Sequence, residues 1–340
     1  MTSVKGFRVE REPTPDRPGT GAFVFTDDYS VFDWGKMPDA VPNKGASLCA
    51  TGAASFERLE ETVPTHYRGV YAGGSVTRLD GAGAPPREMA IDLVAVPELP
   101  FEGSEEGYDY EAFHAAAGEA YLVPLEIVFR NRVPVGSSLR RRSDPADVGL
   151  DTGSWPDEPV DLPEPVVEFS TKFERSDRYL DREEAARIAG AAPLDGLTAA
   201  ARAANRTVTD LAEEAGLVHE DGKIECLYCD GEVRVADVVG TFDENRFAYD
   251  GQQVSKEVLR QYHRRRQPEW VEAVERARTA ASERGAADWR ELCEETPDPL
   301  PARVIDAMRD LYTAGTNAYV GRPLFDAPGL EAAVDRVREL

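Results

Sequence analysis

Residues 124–137 read PLEIVFRNRVPVGS. Leu125, Ile127, Val128 and Phe129 make an extended apolar run that predicts a strand. Arg130 and Arg132 stand at its end, and Gly136, Ser137 and Ser138 form a small turn. A guanidinium offers a bidentate fork. A Gly/Ser turn offers backbone amides and hydroxyls with little side chain in the way. These are the parts that grip a phosphate, and ordinary surface charge at a strand end is the competing reading.

Upstream, the first hundred residues read as β-rich. GAFVFTDDYSVFDW carries Phe23–Phe25 and then Val31, Phe32 and Trp34, broken by Asp27-Asp28; VPTHYRGVYAG and EMAIDLVAVPEL are further strands. Small residues and a helical rhythm predict a helix over ASLCATGAASFERLEE, and 102–112 reads as a polar loop. Downstream, 139–168 is rich in Pro, Gly and Asp and reads as a long surface excursion. DREEAARIAG and PLDGLTAAARAANRTVTDLAEEAGLV are helical, with Gly216 as a stop. GKIECLYCDGEVRVADVVG predicts two strands joined at Asp230-Gly231, a strong hairpin signal. SKEVLRQYHRRRQPEWVEAVERARTAASER, PARVIDAMRDLYTAGTNAYV and GLEAAVDRVREL are helices. The class is α/β. Expected segments are a β-rich lobe over 1–120, an α/β lobe over 121–290 and a helical segment over 291–340.

The chain has 340 residues, 63 acidic and 39 basic, with a net charge of −24. The acids are dispersed, so the charge marks a hydrated surface rather than an acidic tail. Only six of the 39 basic residues are Lys. The expectation is adaptation to a salt-rich cytoplasm, where repulsion is screened within a few Å. Such a surface repels nucleic acid, so an anionic ligand needs a local basic pocket; Arg140–Arg142 and Arg264–Arg266 are candidates. No signal peptide is visible, nor the roughly 18 apolar residues of a membrane span. A cytoplasmic protein is expected. Cys226-x-x-Cys229 lacks two further ligands at zinc spacing and precedes a turn rather than a helix. Cys49 and Cys293 are isolated, and His66, His114, His219 and His263 form no ligand pair.

Three more polar clusters bear on chemistry. EFSTKFERSD (168–177) puts Ser170, Thr171 and Lys172 in succession, with Glu174 and Asp177 close behind. That mixture suits a polyphosphate or a zwitterion; a solvated loop is the alternative. In GKIECLYCDGEVRVAD, Lys223 and Glu225 share a strand face, and Asp237 can approach Glu225 from the partner strand. Two such carboxylates can hold Mg²⁺ between ATP phosphates. In TFDENRFAYDGQQVSKEVLRQYH, Asp243 and Arg246 share a loop, and Lys256 and Arg260 share a helical face. Arg246 and Arg260 complete a phosphate clamp with Arg130 if the fold brings them together.

In this order the motifs resemble the phosphoribosylaminoimidazole-succinocarboxamide synthase (SAICAR synthetase) family. VPLEIVFRNRVPVGS is similar to its strand, hinge and arginine turn, and EFSTKFERSD to its Ser-Thr-Lys segment. GKIECLYCDGEVRVADVVGTFDENRF is similar to its Lys-x-Glu strand, hairpin and Asp…Asp…Arg loop. SKEVLRQYH resembles the next helix, and TDDYSVFDWGKMPDAVPNKG the Ser-x-Phe-Asp and Pro-x-Lys-Gly segments. The likeness runs from about residue 3 to 265, and the acidity makes it a haloarchaeal-like form. It departs in three places. The family's Gly-Lys-Val-Arg-Asp opening is replaced by Thr2-Ser3-Val4-Lys5-Gly6, leaving Lys5 as the substitute lysine. The usual Asp-Glu pair is Asp237-Val238. Gly240 is an extra residue.

The resemblance implies a two-lobed, kinase- or ATP-grasp-like fold with ATP in the cleft. It also implies ligation of L-aspartate to carboxyaminoimidazole ribonucleotide (CAIR) through an acyl phosphate, with ATP and Mg²⁺ and with oligomeric state open. By that resemblance Glu225 and Asp237 hold the metal. Lys223 neutralises ATP or substrate oxygens, and Lys172 sits near aspartate or the γ-phosphate. Arg130, Ser137, Arg246 and Arg260 hold the ribonucleotide phosphate, and Asp243 faces its ribose or imidazole. Leu122 to Glu126 border adenine, and Lys5 reaches ATP. The rivals are a kinase-type enzyme on a related scaffold and a nucleotide-binding homologue that has lost activity.

Overall fold

The computed structural model describes residues 5–103, 107–175, 177–284 and 288–340. Thr2, Ser3 and Val4 of the opening segment and Ser176 of the third motif lie outside them. The chain builds two lobes. The smaller is an antiparallel sheet of β1 (Lys5–Arg11), β2 (Gly19–Phe25), β3 (Tyr67–Ala72), β4 (Ser75–Thr77) and β5 (Glu88–Leu93), in the order β1-β2-β5-β3-β4. Its inward residues, Phe23, Phe25, Val70, Met89 and Ile91, share one core with Leu48, Phe56 and Leu59 of α1 (Lys44–Leu59). Residues 31–34 are not the strand their apolar side chains predict. Phe32 and Asp33 have φ of 54° and 49° and turn the chain, leaving Val31 in the core and Phe32 and Trp34 packed against Trp270.

The larger lobe follows. β6 (Phe101–Gly103) pairs with β7 (Gly107–Tyr108), and α2 (Tyr110–Ala117) begins inside the expected polar loop, capped by the Asp109 side chain accepting from the Ala112 N–H. Next come β8 (Tyr121–Leu122), β9 (Leu125–Val133), α3 (Leu139–Arg142), β10 (Val160–Thr171), β11 (Tyr179–Leu180), α4 (Arg182–Ala189) and α5 (Leu194–Glu214). The hairpin of β12 (Val218–Cys229) and β13 (Glu232–Ala236) precedes β14 (Asn245–Tyr249) and β15 (Gln252–Gln253). The sheet order is β11-β10-β9-β12-β14-β15, with β13 and β8 on the outer half of β12. Asp230 and Gly231 both have positive φ, as a tight hairpin of this twist requires. α5 lays Leu197, Ala201, Ala204, Val208 and Leu211 on the sheet, a helical stripe.

The lobes join through β13. His66 N–H donates to the Val235 carbonyl, and Val235 N–H donates to Pro64, both at 2.9 Å. The C-terminal quarter is α6 (Glu257–Arg266), α7 (Pro268–Arg284), α8 (Ala302–Val320) and α9 (Leu330–Arg338). Pro268 separates α6 from α7, because proline suits the first turn of a helix and not its interior. Val304, Met308, Leu311 and Tyr312 of α8 belong to the same core as α1 and α5.

Candidate functional site

Three neighbouring strands place charged residues in one row. In register, Asp221 of β12 faces Arg130 of β9 on one side and Arg246 of β14 on the other. The Arg130 Nη1 lies 3.1 Å from Asp221 Oδ2, and the Arg246 Nε 2.7 Å from Asp221 Oδ1. Arg130 also donates to Glu168 at 2.8 Å and to the Tyr179 hydroxyl at 3.1 Å. Arg142 pairs with Glu168 at 2.6 Å and stacks 3.3 Å over the Tyr179 ring. Arg130 is buried, 5 % exposed, and its guanidinium is held rigid by two acids, whereas the Arg246 side chain is 24 % exposed. The row therefore keeps two guanidiniums charged and aimed, with donor capacity left for an oxyanion.

One pleat further along β12 the charge changes character. Lys223 donates to Glu126 of β9 and lies 3.5 Å from Glu244. Burial alone would lower its pKa, but Glu244, Glu126 and Glu225 hold the ammonium well above its usual range. Glu225 pairs with Lys172, and Asp237 with Lys5 from the small lobe. Asp237 sits one residue past β13 at φ 60°, a left-handed turn that aspartate tolerates. Burial and the neighbouring Asp237 push the Glu225 carboxyl up, against Lys172, Lys223 and Lys5. Burial would raise the Asp237 carboxyl, but Lys5 and Lys172 together hold it low. Both lobes thus supply lysines to one strip of acids.

Asp243 is held inside the fold. Its side chain is 3 % exposed, and both oxygens are taken: Oδ2 by the Lys44 ammonium at 2.6 Å, Oδ1 by the Tyr312 hydroxyl at 2.7 Å. Lys44 is fully buried. The Pro-x-Lys-Gly turn and α8 thus each give this carboxylate one polar partner. Next to it, Glu244 projects among Lys223, Lys256 and Lys5, and these cations overcome burial to hold its carboxyl low. Val238 cannot supply an acid; it is buried in the core. Gly240 has φ 69°, and a Cβ there would lie 2.0 Å from Ser55 Oγ. The extra glycine lets the loop press on α1 and α8 and delivers Glu244 to the strip.

The remaining candidates are more dispersed. Ser137 is buried in the turn after β9, its Oγ accepting from Leu139 N–H at 3.3 Å. Arg260 pairs with Glu257 on its own helix at 3.2 Å, and among the described residues no ion pair joins it to the arginine row. Leu122 and the Val123 N–H, which donates to the Cys226 carbonyl at 2.9 Å, set the hinge against β12. Arg140 is no open anion pocket: it donates to the carbonyls of Val133, Pro134, Pro156 and Glu158 and so pins the excursion that follows it. Arg264 pairs with Glu257 at 3.1 Å and lies over Phe32. Cys226 and Cys229 are buried.

Asp221, Glu168, Tyr179, Glu244 and Tyr312 were not singled out by sequence, whereas Arg142 was, within the Arg140–Arg142 run. Asp221 carried a usable signal, since Asp221-x-Lys223-x-Glu225 continues one alternating face of β12. Tyr312 carried none.

A basic row that grips an oxyanion beside a lysine–carboxylate strip, with both lobes contributing, suits charge-neutralised phosphoryl chemistry. A SAICAR synthetase family model matches residues 13–277. A putative phosphoribosylaminoimidazole-succinocarboxamide synthase of Archaeoglobus fulgidus is 41 % identical, covering 100 % of this chain and 99 % of its own. The Thermoplasma acidophilum enzyme is 33 % identical over 73 % of this chain and 79 % of its own. Among solved structures, the Saccharomyces cerevisiae SAICAR synthase complexed with SAICAR matches 94 % of this chain and 93 % of its own at 21 % identity and TM-score 0.58. A SAICAR synthetase in complex with ADP matches 76 % of this chain and 88 % of its own at 22 % identity and TM-score 0.52. The chain belongs to the SAICAR synthetase family.

Proposed function

We propose that the protein joins L-aspartate to carboxyaminoimidazole ribonucleotide at the cost of ATP, giving SAICAR, ADP and phosphate in purine biosynthesis. The observation that carries this reading is the strip in which Lys5, Lys172 and Lys223, from both lobes, face Asp237, Glu225 and Glu126, in a chain of this family. A carboxylate resists amine attack, because oxide would have to leave. Phosphorylation makes it an acyl phosphate with a good leaving group, and the aspartate amine then displaces phosphate. The protein's part is alignment and neutralised charge.

Arg130 and Arg246 hold the ribonucleotide phosphate, with Asp221 fixing their forks. Lys223 and Lys172 neutralise oxygens that gain charge during transfer. Lys5 approaches ATP from above, and Leu122 to Glu126 border the base. Glu225 and Asp237 are the residues that would hold Mg²⁺, because they are neighbouring hard oxygen donors of the kind that cation takes beside phosphate. Bound there, the cation would supply neutralisation of phosphate charge, while Lys172 and Lys5, paired with these carboxylates, stand beside the same oxygens. We also place the protein in a salt-rich cytoplasm, from the dispersed net charge of −24.

A coupled assay of ADP release in molar KCl tests this, with each substrate omitted in turn. Release is expected only when CAIR, aspartate and ATP are all present. Release with CAIR and ATP but independent of aspartate would point to a kinase instead.

A further inference from the structure

Beneath the arginine row, on the face of the sheet that α5 covers, lies a second row of polar groups. Arg130 and Arg246 are followed and preceded on their strands by Asn131 and Asn245, which therefore point the other way. On β12 the register shifts between His219 and Asp221, and this bulge turns His219 to the asparagine face while Asp221 stays with the arginines. His219 and Asn245 are 4 % and 2 % exposed. Asn131 exchanges amide hydrogen bonds with Asn205 of α5 at 2.7 and 3.0 Å.

A backbone group fixes which way the Asn245 amide and the His219 ring are turned. The Gly240 N–H donates to Asn245 Oδ1 at 3.0 Å, so the NH₂ end of that amide meets His219 Nε2, also at 3.0 Å. Nε2 must then accept, and the ring proton sits on Nδ1, 2.9 Å from the Thr209 hydroxyl. Gly222 faces Asn245 across the strands. Its φ lies outside the left-handed region, so the backbone does not call for glycine there. Space does: a Cβ would lie 1.9 Å from Asn245 Nδ2 and 2.8 Å from the Phe129 ring.

The Asn245 amide thus ties the site loop at Gly240 to β12 at His219. Its chain neighbours are Glu244, which leans on Lys223, and Arg246, which shares Asp221 with Arg130. A buried polar network with its bonds made holds one arrangement, and here that arrangement lies directly under the charged groups. We propose that Asn245, oriented by His219, is a positioning residue for the ribonucleotide: it sets the span between the arginine row and the lysine–carboxylate strip. The inference rests on the ligase reading. CAIR carries its phosphate and its reacting carboxylate at opposite ends, so it is the substrate that must fit this span. Neither ATP nor aspartate is assigned to the arginine row.

Nitrogen NMR of the full-length protein labelled in histidine should show His219 with its proton on Nδ1 and a bare Nε2. A proton on Nε2 overturns the proposal. In kinetics, Asn245→Leu should raise the KM for CAIR at least tenfold and leave those for ATP and aspartate within twofold. Asn245→Asp keeps an acceptor for the Gly240 N–H, and His219 can meet its second oxygen by carrying the proton on Nε2, with the Thr209 hydroxyl then donating to Nδ1. That variant should show the moved proton and recover most of the CAIR KM. A structural role alone would shift all three KM values together or lower kcat only. Either result, or a CAIR KM within twofold of wild type, overturns the proposal. If Asn245→Leu does not fold, Asn245→Ala takes its place under the same criteria. Absence of three-substrate ADP release by the unaltered protein sinks the ligase reading instead, and is seen before any variant is made.

Discussion

Lys44→Met is the sharpest test of what anchors the site loop. Lys44 is fully buried, and its ammonium lies 2.6 Å from an Asp243 carboxylate that is itself 3 % exposed. Methionine keeps most of the volume and removes only the charge. Asp243 then retains the Tyr312 hydroxyl and the more distant field of Lys256, and a buried anion is left undercompensated. Breaking such a pair costs about 3–5 kcal/mol, or roughly 5–15 °C in Tm for a domain of this size. The comparison is Arg58→Met, which opens an exposed pair with Glu214 at 3.1 Å and should cost about 0–1 kcal/mol. The pH dependence has a definite sign. Burial would raise the Asp243 carboxyl, but Lys44 and Lys256 pull it below its usual range. A lowered folded pKa gives stability that is present above the unfolded value, about 3.9, and lost as pH falls through the folded one. Without Lys44 burial dominates and the carboxyl protonates earlier, so the gap between wild type and variant should narrow as pH drops from 7 towards 4. Asp243→Asn added to Lys44→Met should recover most of the loss. Urea unfolding in molar KCl measures all of this. A Lys44→Met cost below about 1 kcal/mol, or a gap independent of pH, would refute the reasoning.

Two other outcomes follow from the same geometry. Gly240→Ala should cost at least about 2 kcal/mol, because it combines left-handed strain with a Cβ 2.0 Å from Ser55 Oγ and 2.6 Å from Tyr319 Oη. Gly231→Ala, also at positive φ but with open space around it, should cost only about 1 kcal/mol in the same thermal melts. His66, His219 and His263 are buried and held neutral, each with its pKa lowered by burial to about 4. Between the unfolded value near 6.5 and that folded value the unfolded chain binds up to three more protons. Stability is therefore full above about pH 6.5 and should fall by about 4 kcal/mol per unit near pH 5. A slope worth less than one proton, measured in high salt to screen the net charge, would mean that these rings are not held neutral.

The strands that bear the site were readable because alternation and turn chemistry are local. Leu125 to Phe129 and the Asp230-Gly231 hairpin could be placed from their own neighbours. Which charges would meet was another matter. Arg130 and Arg246 share Asp221 because β9, β12 and β14 are adjacent in the sheet, an order no single segment encodes. Residues 31–34 misled for a related reason: their apolar side chains are buried by a turn against α7, where period two has no meaning.

The missing second acid shows how far a motif can be trusted. Read along the chain, Val238 in place of glutamate looks like a lost function. In three dimensions the loop is one glycine longer, Val238 turns into the core, and Glu244 reaches Lys223 from seven residues downstream of Asp237. The charge is kept while its position in the sequence moves. The same holds for the tail. The family match ends at residue 277, yet Tyr312 of α8 supplies a hydrogen bond to Asp243, and the Tyr319 hydroxyl lies against the loop glycine. A helix outside the matched region is thus built into the wall that positions Glu244 and Arg246. Removing it should disturb the site before it disturbs the sheet, because Tyr312 bonds the loop directly while Tyr319 bonds Ser55 of α1 and Asp310 pairs with Arg336 of α9.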